Sequence, residues 1–378
     1  MSIQWPDGID EQRFLAEYWQ KKPLLIRQAF PDFNTPLPAD ELAGLSLEPE
    51  TTGRIITCDS TGAYHLEHGP FDEDRFATLT ENNWSLLVTD VEKHVPEFIE
   101  YLQPFRFIAD WRIDDLMISY APDGASVGAH VDEYDVFLLQ GSGVRTWSID
   151  ARADAVHEMR RDGDLKIIAN YTATDSWDLI AGDMLYLPPN MAHHGIAKGD
   201  DCTTWSIGFR APRKSDLISD LASRIADDMP STRYTDGDTT MSRHGQIDPS
   251  SIKRFRKIWD DAVNLSDIEF ARMLGQWLTE SNAPASIGNE IRAQADNSTG
   301  PSTSVVLQKT PFSRFAFITT AADQACLFVD GMAYQCTSAL AAQICSAASD
   351  ISLDFEQLAA TDAQCVATLC EAGALHEA

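Results

Sequence analysis

What this chain lacks narrows it first. Its seven cysteines (58, 202, 326, 336, 345, 365 and 370) are odd in number and include no Cys-x-x-Cys pair. Neither a disulfide framework nor a zinc ribbon is expected, and the thiols read as buried groups in a reducing compartment. Basic residues are scarce: 29 Lys and Arg stand against 58 Asp and Glu, a formal net charge of -29. A field of that sign repels nucleic-acid phosphate and anionic membrane and favours a basic partner such as a positively charged protein. No apolar run approaches the length of a membrane span, and Met1-Ser2-Ile3-Gln4-Trp5-Pro6-Asp7 has neither a basic n-region nor an apolar h-region. A soluble, cytoplasmic protein without membrane contact is expected.

What the chain has is apolar mass. Hydrophobic residues make up 44% of 378, with 17 Phe and 9 Trp, enough for more than one core, and a chain of this length usually divides into domains. Residues 9–20 place Phe14, Leu15, Tyr18 and Trp19 on one helical stripe, and a strand follows Pro23. A hairpin is expected over 54–57 and 63–66, helices near 72–80 and 95–102, and a strand at 84–88. Short strands punctuated by Gly, Pro and Asp then follow at 115–120, 130–140, 145–149, 184–187 and 203–209, with Gly141-Ser142-Gly143 as a turn. That texture predicts a mainly β domain, a double-sheet jelly roll of the cupin kind. After Pro212 the pattern becomes helical. Leu217, Leu221, Ile225 and Met229 form one stripe behind a Ser215 cap, and Ile252, Phe255, Ile258 and Trp259 form a second. A capping box, Ser266-x-x-Glu269, opens a third helix. Residues 297–304 read as a linker, and the remainder mixes strands at 315–318 and 326–329 with Ala-rich helices in a winged-helix-like α+β arrangement. Arg314 is the last basic residue, so this part lacks the phosphate contacts DNA binding needs. The expected domains are 1–212, 213–283 and 284–378.

The chemistry concentrates in Gly128-Ala129-His130-Val131-Asp132-Glu133-Tyr134-Asp135. On a strand, His130 and Asp132 share a face, which supplies two thirds of a 2-His-1-carboxylate triad, the arrangement that holds non-haem Fe(II) with open positions beside it. The third ligand is His193 or His194, at a strand end prepared by Gly182-Asp183 and Pro188-Pro189. Adjacent residues cannot both face inward. His65 and His68, three apart on an extended hairpin, point to opposite faces and do not form a metal pair. Arg145 offers a planar fork for a carboxylate and Ser119 a hydroxyl donor. An inward Arg145 is costly without an anion, while an outward one needs none. Tyr134 is in phase with the His130–Asp132 pair, and Asp114, Asp115 and Glu133 are carboxylates suited to a guanidinium.

Asp110-Trp111-Arg112-Ile113-Asp114-Asp115-Leu116-Met117-Ile118-Ser119, the stretches 130–143 and 182–195, and Ser206-Ile207-Gly208-Phe209-Arg210-Ala211-Pro212 together resemble the bacterial ribosomal oxygenases. These are JmjC-type Fe(II)/2-oxoglutarate enzymes that hydroxylate an arginine of large-subunit ribosomal protein L-sixteen. The likeness runs from about Trp5 to Pro212. It implies His130, Asp132 and His193 as iron ligands, Arg145 and Ser119 as holders of the distal carboxylate of 2-oxoglutarate, oxidation at the arginine β-carbon, and a homodimer built by the helical module. Two departures stand out: Ala192-His193-His194 where Pro-His-Glu is expected, and Val144-Arg145-Thr146 where more basic residues are. The rival readings are a 2-oxoglutarate oxygenase or demethylase with another protein target, and a non-catalytic cupin scaffold.

Overall fold

The structure, a computed structural model, describes residues 1–378 except 153, 162, 237–243, 282–303 and 378. Two compact units divide it, Met1–Ala211 and Pro212–Ala378.

In the first unit, α1 (Glu11–Glu17) starts where the Asp10 carboxylate accepts a hydrogen bond from the Arg13 amide, and it buries Phe14. It is shorter than the stripe over 9–20 predicts, because Gln20 takes a left-handed φ of 58°. There follow β1 (Leu24–Ile26), α2 (Ala39–Leu45), the hairpin β2 (Thr52–Cys58) and β3 (Tyr64–His68), α3 (Glu73–Ala77), β4 (Trp84–Thr89) and α4 (Val91–His94). The α-helix predicted over 95–102 is instead a 3-10 segment, Pro96–Phe105, with Pro104 inside it. Proline has no amide to donate, so a regular α-helical ladder fails there. Strands β5 (Ile113–Ala121), β6 (Asp135–Asp150), β7 (Asp175–Ile180), β8 (Met184–Leu187) and β9 (Ala192–Phe209) complete the unit.

These strands form one antiparallel sheet in the order β1-β8-β6-β9-β5-β4-β2-β3, with β7 on β6. The result is a jelly roll, the predicted fold class. Its outer face carries Leu116, Ile118, Phe137, Leu139, Trp205, Ile207 and Phe209 into a core with Phe14, Phe98 and Phe105. Its inner face carries Val136, Leu138, Trp147 and Ile149 with Leu179, Leu185 and Leu187. The turn predicted at 141–143 does not exist: β6 runs straight through, and its register against β9 slips between Gln140 and Ser142 and again between Ser142 and Val144. Even-numbered residues face inward before the slip and odd-numbered ones after it. A bulged strand of this kind bends and re-aims its side chains.

Pairing of β4 with β5 ends at Val88 and Ile118. Two residues away the free Leu116 amide donates to Glu92 Oε2 of α4 at 3.0 Å. Glu92 is 5% exposed, and burial pushes its carboxyl up to about 8, with Asp90 and Asp115 adding to the rise and Lys93 and the Leu116 amide opposing it. The folded chain therefore keeps a proton that the unfolded chain releases near its ordinary value of 4.5. Stability from this group is complete below that pH and declines as pH climbs towards 8. Glu92→Gln keeps an acceptor for Leu116 and cannot ionise. It is expected to match the parent near pH 5 and to exceed it at pH 8 by on the order of 2 kcal/mol. Thermal melts across that range check this, and parallel curves for the two proteins would refute it.

The second unit begins with α5 (Lys214–Asp228), whose N-cap is Arg213 and not the predicted Ser215. It continues with α6 (Pro249–Val263) and α7 (Asp267–Leu278). The capping box forms as read: Ser266 and Glu269 bond each other's backbone amides. Residues 297–303 of the predicted linker lie outside the described residues. Two three-stranded sheets follow, β10 (Ser304–Lys309) between β14 (Asp350–Asp354) and β15 (Leu375–Glu377), and β11 (Phe315–Ala321), β12 (Gln324–Val329) and β13 (Met332–Cys336) as a meander. With α8 (Ser338–Ser346) and α9 (Ala360–Glu371) they enclose a core of Leu327, Leu340, Ile344, Leu353, Val366 and Leu369. Among the described residues no helix is long and apolar enough to cross a membrane.

Candidate metal centre

His130 and Asp132 are not on a strand, as predicted, but in the irregular segment before β6, which starts at Asp135. Strand alternation therefore does not explain why they converge. Backbone bonds to the β8–β9 region do. His130 and His193 exchange both amide bonds, at 3.0 and 2.9 Å, in an isolated bridge, and the Asn190 amide donates to the Asp132 carbonyl at 2.6 Å.

This brings His130, Asp132 and His193 together, with one ligand atom from each lying within 4.8 Å of the others. Asp132 Oδ2 lies 3.9 Å from His130 Nε2 and 3.6 Å from His193 Nε2. Each ring has its other nitrogen committed: His130 Nδ1–H donates to the Gly128 carbonyl and His193 Nδ1–H to the Met191 carbonyl, both at 2.9 Å. A carbonyl can only accept, so each Nδ1 carries a hydrogen and Nε2 is the nitrogen left on each ring to ligate a metal. Burial, followed by the neighbouring His130, holds His193 down to about 3, so it stays neutral. The Asp132 carboxyl is raised, first by burial, against the pull of His130, a Tyr134 hydrogen bond and Arg54. A divalent cation among these three groups would favour the carboxylate form of Asp132 that burial disfavours. His194 takes no part, because it faces the other side of β9 and its Nε2 lies 2.8 Å from Ser126 Oγ.

Beyond His193 the inner face of β9 presents Gly195 against Trp147. A Cβ at Gly195 would sit 2.7 Å from the indole, which in turn lies 5.7 Å from the His193 ring between centroids. Only glycine leaves room for the indole there. Arg145 lies further along the same face of β6. It is 2% exposed, and its Nε and Nη2 have no hydrogen-bond partner; its guanidinium carbon is 5.6 Å from the Trp147 ring. The slip in β6 settles its direction as inward. Buried donors left unmade are costly, and these fit a bidentate carboxylate. Ser119 is buried on β5, with its hydroxyl 3.4 Å from the Thr204 carbonyl.

The three acids separate. Asp114 is exposed and pairs with Arg210 at 3.1 Å, and Glu133 is exposed. Asp115 faces Gly208, where an added Cβ would come within 2.8 Å of its carboxylate oxygen; burial and then Asp114 raise that carboxyl to about 7. Tyr134 bonds Asp132, which places it at the mouth of the cluster. Sequence reasoning missed Arg54 of β2. Its Nη2 reaches Met117 Sδ at 3.2 Å and Thr89 Oγ1 at 3.4 Å, and its charge acts on both Asp115 and Asp132. A lone basic residue opening the apolar run Arg54-Ile55-Ile56 was its only signal. Ser126 and Tyr64, beside the His130 loop, left none.

A jelly roll with two imidazoles and a carboxylate converging at one end, and a buried guanidinium deeper on the same face, defines the JmjC class of protein. The JmjC domain family matches residues 100–217. The ribosomal protein uL16 3-hydroxylase of Escherichia coli strain K12 is 34% identical over 283 residues, covering 74% of this chain and 73% of that protein. A probable ribosomal oxygenase of Haemophilus influenzae is 34% identical over 274 residues, covering 69% of this chain and 66% of its own length. The X-ray structure of E. coli YcfD superposes with a TM-score of 0.81 at 27% identity, covering 100% of both chains. YcfD in complex with cobalt and 2-oxoglutarate gives 0.77 at 27% identity, over 100% of this chain and 99% of that one. The chain belongs to the ribosomal oxygenase family.

Proposed function

We propose that this chain is an Fe(II)/2-oxoglutarate-dependent oxygenase that hydroxylates an arginine β-carbon of ribosomal protein uL16, and that it works in the cytoplasm. The observation that carries the reading is the pairing of the His130–Asp132–His193 cluster with a buried guanidinium whose Nε and Nη2 donors are unmet. His130 Nε2, a carboxylate oxygen of Asp132 and His193 Nε2 would hold the iron. Arg145 and Ser119 would hold the far carboxylate of 2-oxoglutarate. When bound, the iron and co-substrate supply the oxidising power that inserts one oxygen atom of dioxygen into a C–H bond while 2-oxoglutarate becomes succinate and carbon dioxide. The chain's own contribution is placement. The two Nδ1–H bonds orient the imidazoles, Trp147 and its apolar neighbours keep water from the guanidinium, and Tyr134 borders the approach.

Asp115 is the receptor we assign to the substrate guanidinium, since it alone of the three acids turns to the inner face. An arriving guanidinium favours the carboxylate form that burial disfavours. The acidic chain suits a basic ribosomal protein. Ile252, Phe255, Ile258 and Trp259 of α6 are 42–56% exposed, and we assign them to a homodimer interface, which sedimentation of the full chain tests.

The test is incubation of the iron-loaded chain with uL16 and 2-oxoglutarate. Mass spectrometry should find one added oxygen on one arginine, whereas loss of a methyl group, or no change with free 2-oxoglutarate turnover, would point to another target. Asp115→Asn should raise KM for uL16 by about 10–100-fold, the worth of a hydrogen bond to a charged group, with KM for 2-oxoglutarate unchanged.

A further inference from the structure

His193 and His194 are neighbours on β9 that face opposite ways. The first joins the cluster; the second lies outside it, half-buried, with the Tyr171 ring edge-on at 5.9 Å. Its Nε2 meets Ser126 Oγ at 2.8 Å. The same oxygen accepts from the Gly128 amide at 3.0 Å, and the Gly128 carbonyl accepts from His130 Nδ1–H at 2.9 Å. Three hydrogen bonds therefore lead from His194 to the ring of His130.

Main-chain bonds tie the segment they cross at other points, from the Ala197 amide to the Ala125 carbonyl at 3.0 Å, from the Ile168 amide to the Ala129 carbonyl at 2.8 Å and from the Asn190 amide to the Asp132 carbonyl at 2.6 Å, but none of these reaches the Gly128 carbonyl that holds the His130 ring. Between β5 and β6, His130 is held by its bridge to His193 alone among strand-type pairings, and its side chain is 25% exposed, against 3% for His193. Gly128 takes a φ of +85°, and a Cβ there would come within 2.7 Å of Ile167 and 3.1 Å of Tyr64. Tyr64 also hydrogen-bonds Ser126. The turn is thus packed from outside and tied by Ser126, whose oxygen His194 holds in place.

We propose that His194 is a positioning residue for the metal centre: through Ser126 and the Gly128 turn it fixes the acceptor that aims His130 Nε2. The inference rests on reading His130, Asp132 and His193 as a metal site. One strand then serves both histidine ligands, donating His193 itself and steadying His130 with the next residue. Groups one bond beyond a ligand, here the Gly128 carbonyl, typically change metal affinity about 10–100-fold when removed, and groups further along the same chain of bonds should act at or below the lower end of that range.

Cobalt(II) titration of the full chain tests this, read by visible absorption of the bound ion and by its dissociation constant. His194→Ala and Ser126→Ala should each weaken cobalt binding by about 10-fold, the lower end of the effect of a ligand's direct partner, and alter the band. The double variant should be no worse than the weaker single one, because both act in one chain of bonds. His194→Gln, whose amide can donate or accept towards Ser126, should restore binding to within about threefold of the parent. Parental cobalt affinity in His194→Ala, additive losses, or failure of glutamine to rescue would each overturn the proposal. A merely structural His194 would lower the melting temperature of the metal-free protein and leave cobalt affinity alone. Failure of the parent chain itself to bind cobalt would instead remove the metal-site reading on which the relay depends.

Discussion

Asp132→Ala is expected to abolish 2-oxoglutarate turnover, with or without uL16, while the protein stays folded. The carboxylate is the only negative charge in the cluster His130–Asp132–His193, and two neutral imidazoles cannot replace it as partners for a dication. Since partners one bond further out are worth about 10–100-fold in affinity, loss of a direct ligand should exceed the upper end of that range. Folding should survive because burial, not pairing, dominates the surroundings of this carboxyl, and the bond from the Asn190 amide is to the main-chain carbonyl of Asp132. Cobalt titration, succinate release and a thermal melt together read the result. Coupled turnover persisting in the variant would sink the site assignment.

Arg145→Met should move stability and binding in opposite directions. In the co-substrate-free protein the guanidinium is buried with two unmet donors, and replacing a buried, unpaired charge with an apolar side chain of similar length should stabilise by about 1–3 kcal/mol. Binding of 2-oxoglutarate loses a buried charge pair, about 2–5 kcal/mol, which at 1.4 kcal/mol per tenfold is a rise in KM of roughly 30-fold or more. A melting temperature that falls while KM for 2-oxoglutarate holds steady would make Arg145 a structural member of the core and nothing else.

The site was legible to different depths at different residues. His130 and Asp132 could be singled out by type and spacing, yet the expected cause, alternation along a strand, was not the real one. The segment is irregular, and its geometry comes from bonds to residues some sixty positions on, which no local pattern shows. His193 and His194 could not be told apart by spacing, because the difference is which face of β9 each occupies. Arg145 was ambiguous for a related reason: its direction depends on a slip inside β6, at a Gly-Ser-Gly that reads equally well as a turn. The jelly roll itself was plainer, since short strands between Gly, Pro and Asp leave a mark on the sequence. The helix expected at 95–102 had the right apolar period and the wrong backbone, with proline at both ends of the segment. Ser126 was invisible because its hydroxyl joins the Gly128 turn to Tyr64 and to His194, the latter 68 residues away.

The slip in β6 also sets how this domain can change over time. Substitutions at Gly141-Ser142-Gly143 act locally, but insertion or loss of one residue there changes the count along the strand. Removing one would exchange the faces of everything downstream, turning Val144 and Thr146 inward in place of Arg145 and Trp147. The glycines are held as well, since a Cβ at Gly141 would come within 2.5 Å of Thr203 Oγ1 and one at Gly143, whose φ is +62°, within 2.8 Å of the Asp201 carbonyl oxygen, so both the letters and the length are fixed at this point.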